Sequence, residues 1–145
     1  MKEQRHTMIL MDFVKAFGVA ILLLIIDVLI AFCVVYVYVS LTDPGHTQAY
    51  YVTTGVPIAR WSTRIAGTAL ILGAAWFFGM RRPLRNAWMF AVTVTAFYAL
   101  VDAASVHFAG VATISFGLTI GLKLAGGLAG AWLAVRTRSS AVPAT

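Results

Sequence analysis

Apolar residues fall in four long blocks, Phe17 to Val39, Val56 to Phe78, Ala87 to Val106 and Val111 to Val135, separated by stretches that carry most of the charges and prolines. Each block reaches or exceeds the roughly 20 residues a helix needs to cross about 30 Å of hydrocarbon. The pattern predicts an all-α fold, an integral membrane four-helix bundle with spans at about 17–40, 56–79, 84–107 and 111–135. Four spans with short connections leave no room for a second domain, so any chemistry lies in the bundle, at its mouths or in a partner.

The flanks and connections divide the rest. Residues 1–16 mix Lys2, Glu3, Arg5, Asp12 and Lys15 with apolar positions, the pattern of a cytoplasmic or interfacial segment leading into the first span. Thr42 to Gly55 opens on the turn sequence Asp43-Pro44-Gly45 and continues into Ala49-Tyr50-Tyr51-Val52-Thr53-Thr54. Its aromatic and β-branched residues predict an extended or interfacial stretch outside the membrane. The turn from Met80 to Asn86 is tight and basic, with Pro83 suited to a helix start. A short loop around Phe108 to Gly110 makes the last two spans a hairpin, and 139–145 reads as a disordered tail. No small-residue cleavage site follows the first span, so it is expected to be retained and not removed as a signal peptide.

Composition agrees: 61% of the 145 residues are hydrophobic, 11% are charged and mean hydropathy is +0.88. A water-soluble domain needs more polar surface than this. The net charge of +6 raises the question of nucleic acid, but eight of the eleven basic residues sit beside span ends. Lys2, Arg5 and Lys15, then Arg81, Arg82 and Arg85, then Arg136 and Arg138 fall on one side of a four-crossing chain. The positive-inside rule makes that side cytoplasmic and places both termini there. Tyr36, Tyr38, Tyr50, Tyr51 and Trp61 then mark the outer interface, and Trp76, Trp88 and Trp132 the inner one. The expected location is a cytoplasmic (inner) membrane, as a multi-pass protein whose first partner is the bilayer; nucleic acid is not expected.

Asp27, Arg64, Asp102 and Lys123 lie inside the spans. A charge near the bilayer centre costs at least about 2.5 to 3.5 kcal/mol, so such groups normally face the interior and pair. Depth counting places Asp27 and Lys123 on the order of 15 Å from a membrane face, and Arg64 and Asp102 roughly 7 to 9 Å below the outer face. Two ion pairs are therefore predicted, Asp27 with Lys123 and Arg64 with Asp102. Helical spacing extends them into stripes: Thr95, Tyr98, Asp102 and Ser105 on the third span, Ser115, Thr119, Lys123, Gly126 and Gly130 on the fourth, and Arg60, Arg64, Gly67 and Thr68 on the second. Asp27, Arg64, Tyr98, Asp102, Thr119 and Lys123 are the candidate ligand or proton site. Gly117 with Gly121 and Gly126 with Gly130 have the GxxxG spacing of close helix packing, within the bundle or between protomers.

Other chemistry is thinly represented. His46 and His107 form no metal or haem set without neighbouring ligands, and Lys123 between carboxylates resembles a Schiff-base lysine only in charge pattern. Cys33, the single cysteine, excludes an intrachain disulfide. No phosphate loop, nucleophile elbow or zinc motif is present, so no catalytic residue and no metal is assigned.

Arg64 and Gly67 early in the second helix, the turn Arg81-Arg82-Pro83-Leu84-Arg85, Asp102 late in the third helix and the glycine-rich fourth helix resemble the DoxX-like group of small four-helix bacterial membrane proteins. The resemblance covers roughly Arg60 to Arg138. It implies, through members linked to quinone-dependent sulfur oxidation, a lipophilic redox partner. The first helix with Asp27 has no counterpart in that pattern.

Three functions fit these residues. One is a non-enzymatic accessory or assembly subunit that binds another membrane protein or its own copies and carries a buried charge network. A second is a proton-coupled small-molecule transporter using Asp27 or Asp102. The third is a binding protein or enzyme for a lipophilic molecule such as a quinone or isoprenoid. The first is preferred, because nothing in the sequence requires turnover or a cofactor.

Overall fold

The computed structural model describes residues 2–42, 44–81, 84–108 and 115–141, with side chains described at 13–41, 44–81, 87–104 and 117–138. Its described residues form four helices: α1 (Lys2–Val37), α2 (Gln48–Met80), α3 (Leu84–Phe108) and α4 (Ser115–Ala141), α1 ending in a π-helical turn at Tyr38–Thr42. All four are long and apolar enough to cross a membrane, over Phe13–Leu41, Gln48–Met80, Ala87–Ala104 and Gly117–Arg138.

Two boundaries differ from expectation. Ala49 to Thr54, expected to be an extended or interfacial stretch, is not extended but lies in the opening turns of α2. Residue preferences for strand are weak and context-dependent. The hydroxyl of Thr53 here donates back to the carbonyls of Tyr50 (2.8 Å) and Ala49 (3.2 Å), as threonine does within a helix. Pro57 lies inside α2, where its missing N–H leaves the carbonyl one turn earlier without its usual donor. At the other end of the chain α4 continues through Ser139 to Ala141, into the expected tail. The expected loop and start of the fourth span at 109–114, the turn residues Asp43, Arg82 and Pro83, and the tail residues 142–145 lie outside the described residues. The basic segment at 2–12 continues into the first span as one helix, about 54 Å long at 1.5 Å per residue.

Residue burial runs opposite to that of a water-soluble protein. Asp27 and Lys123 are each 2% exposed, and Ala16, Ala20, Ala131 and Ala134 are buried with them, whereas Phe32 is 69% exposed. Many large apolar side chains lie on the outside, and alanines and glycines line much of the inside. Small residues let the backbones approach, above all between α2 and α4. A Cβ on Gly126 would lie 3.0 Å from the Thr68 carbonyl oxygen, one on Gly130 2.9 Å from Ala75 Cβ, and one on Gly79 2.8 Å from Ala134 Cβ. These three positions need glycine because another backbone or methyl already occupies the space. Ile71, Phe90, Val94 and Tyr98 pack with Ala16, Ala20 and Leu23 of α1 to complete the core.

The end of α2 is closed by α4. Arg138 donates from Nε (2.6 Å) and from Nη2 to the Met80 carbonyl, satisfying an acceptor that a helix terminus leaves open. That contact brings Arg136, Arg138 and Arg81 to one end of the bundle. There the guanidiniums of Arg81 and Arg136 lie over the rings of Phe77 (4.1 Å) and Trp132 (5.1 Å).

Candidate functional site

Each helix contributes one face to a shared interior point. On α1, buried positions Ala16, Ala20, Leu23, Asp27 and Ala31 recur every three or four residues, and the small side chains bring Asp27 inward. On α3 the same period runs Ala87, Ala91, Val94, Tyr98, with half-buried Asp102 a turn further. On α4, Lys123 opens the row continued by Gly126, Gly127 and Gly130. On α2 the facing residue is Gly67.

Lys123 Nζ lies 3.4 Å from Asp102 Oδ2 and 3.9 Å from Asp27 Oδ2, and 4.2 Å from the centre of the Tyr98 ring. The Tyr98 hydroxyl makes a short hydrogen bond to Asp27 Oδ2. Asp27 Oδ1 is buried with no hydrogen-bond partner among the described residues. Gly67 makes room for the group: a Cβ there would be 2.7 Å from Asp27 Oδ2 and 2.9 Å from Lys123 Cε. Two carboxylates, one ammonium and one phenol thus converge where all four helices meet. Such an arrangement can hold a charge balance, pin the helices together or exchange a proton.

The predicted pair of Asp27 with Lys123 is formed. Asp102, assigned to Arg64 by depth, instead meets the deeper Lys123, so the expected two levels are linked through one cation. Arg64 Nε donates to Thr119 Oγ1 at 3.1 Å, with the guanidinium 5.4 Å from the centre of the Trp61 ring. The Thr68 hydroxyl donates to the Arg64 carbonyl at 2.6 Å. All six candidate site residues therefore lie within two adjoining polar contacts, Asp27–Tyr98–Lys123–Asp102 and Arg64–Thr119.

The two GxxxG pairs separate. Gly126 and Gly130 pack against α2, whereas Gly117 and Gly121 are exposed, and a Cβ built on either would meet no described neighbour within 4 Å. Gly67, placed by helical spacing on the α2 stripe, faces Asp27 and Lys123, whereas Gly127, which that spacing did not single out, faces the Thr95 hydroxyl and Ile71. The ring of His46 stacks on Tyr50 at 4.2 Å; the side chains of His107, Ser105 and Ser115 lie outside the described residues. Beside the cluster, α1 and α2 enclose an open groove of about 490 Å³ bounded by Leu23, Ile30, Ala66, Leu70, Gly73 and Phe77, apolar throughout.

No family model matches this chain, and no curated protein or solved structure matches it either.

Proposed function

We propose that the chain is a multi-pass protein of the bacterial inner membrane, with cytoplasmic termini, that serves as a non-enzymatic accessory or assembly subunit of a larger membrane complex. Burial of acids and a base beneath an apolar exterior supports insertion in lipid, where polar groups must be satisfied within the protein. The gathering of Arg81, Arg136 and Arg138 at one end supports the orientation.

The observation that carries the subunit reading is the bare outer face of α4 at Gly117 and Gly121. Glycine in a helix costs about 1 kcal/mol relative to alanine, and a close backbone approach offsets that cost. Within the bundle Gly126 and Gly130 have such an approach; Gly117 and Gly121 have none from the described residues. A helix of another membrane protein, or of a second copy, fits there. Native mass spectrometry from mild detergent is expected to find a stoichiometric companion that is lost in Gly117→Ile/Gly121→Ile while the thermal midpoint is kept. A lone monomer in both samples rejects the reading. The resemblance to the DoxX-like group adds a lipophilic redox partner, which the same spectra would reveal as retained mass.

One observation favours proton-coupled transport as a second reading: Asp27 presents an unpartnered carboxylate oxygen at the bundle centre. Proton-linked flux in liposomes that survives both Asp27→Asn and Asp102→Asn rules this mechanism out.

A further inference from the structure

We infer that the four-helix cluster binds one exchangeable proton, seated on Asp27 Oδ1. The inference rests on the cluster alone and is independent of what docks on α4.

Charge balance is the first argument. The groups facing Asp27 are Gly67 from α2, which carries no charge, Tyr98 and Asp102 from α3, and Lys123 from α4. The next cation on α2, Arg64, engages Thr119. With both acids ionised, one ammonium faces two carboxylates, and the cluster holds an uncompensated negative charge in a low-dielectric interior. A net charge there is costly, while a matched set is tolerated. One proton makes the cluster neutral.

Atomic placement is the second argument. Asp27 Oδ2 already accepts from the Tyr98 hydroxyl and lies nearest Lys123. Oδ1 accepts from no described residue and is fully enclosed. A buried oxygen without a donor is expensive as a carboxylate, whereas as the O–H of a neutral acid it leaves Oδ2 as a carbonyl in a satisfied hydrogen bond. Asp102, whose side chain is 27% exposed against 2% for Asp27 and which counts nearer the outer face, is the less enclosed of the two acids and the better-placed site for the ionised form. Its less enclosed side chain also marks the path by which a proton enters and leaves the cluster.

Infrared difference spectra of the full chain in lipid nanodiscs, recorded in H₂O and D₂O, test this. Wild type is expected to show one protonated-carboxyl C=O band that shifts on deuteration. Asp27→Asn removes it. Asp102→Asn removes it too, although Asp27 remains, because Lys123 then matches a single acid. Lys123→Met doubles it. Tyr98→Phe keeps the band and moves it to higher frequency, since the hydroxyl no longer donates to the carbonyl oxygen. Absence of the band in wild type overturns the inference, as does a band that persists in Asp27→Asn or stays unmoved in Tyr98→Phe. Should the lysine variant fail to fold, the conservative Tyr98→Phe comparison decides.

Discussion

Lys123 faces acids from two other helices, and the interior is arranged around its ammonium. Removing one partner of a buried ionic set leaves the others uncompensated at a cost of about 3–5 kcal/mol, whereas replacing the whole set by apolar residues is often neutral. Lys123→Met is therefore expected to lower the thermal midpoint in detergent sharply, and Asp27→Leu/Asp102→Leu/Lys123→Met to recover most of the loss. If the triple variant is no more stable than the single one, packing around the lysine stem matters more than its charge. Gly67→Ala places a methyl against Asp27 and Lys123, and overpacking of this kind costs about 1–3 kcal/mol. The same melting assay is expected to show that loss, with Gly67→Val worse. Asp27 with Lys123 was legible in the sequence because both count to the same depth. The partner of Asp102 was not, because depth counting locates backbones, and a lysine stem spans about a helical turn beyond its own.

α2 and α4 form the tightest seam in the bundle, and its character follows from which glycines meet backbone. Gly130→Val forces a side chain into the Leu72 carbonyl and Ala75. It is expected to destabilise the protein by more than the roughly 1–3 kcal/mol typical of core overpacking, because a backbone carbonyl cannot move aside as a side chain can. Gly121→Val, on the bare face, is expected to leave stability within about 0.5 kcal/mol of wild type. Equal loss in both would mean that the two faces are not distinguished as described. The four helices themselves were legible from block length alone. The GxxxG spacing, identical in both pairs, could not reveal which pair faces inward; that depends on where Lys123 sets the rotation of α4. The start of α2 was hidden because Tyr50, Tyr51, Val52 and Thr53 prefer extended backbone only weakly, and helix formation from Gln48 prevails.

At the scale of the whole molecule, the proposed orientation has a direct test. In a Cys33→Ser background, Gly45→Cys is expected to react with a membrane-impermeant maleimide in intact cells, and Arg81→Cys only after permeabilisation; the reverse pattern inverts the topology. The sequence allowed the sidedness to be argued from Arg81, Arg136 and Arg138, and the Arg138 contact with Met80 adds that the last helix caps the second. The central cluster also bears on biogenesis. Asp27 leaves the ribosome almost a hundred residues before Lys123, so under the proposed membrane reading the first helix would enter the bilayer before its lysine partner is made. It is the most apolar of the four, which lets it carry that burden until the final segment arrives. Nascent chains stalled before Lys123 should consequently be the forms that a membrane quality-control protease finds first.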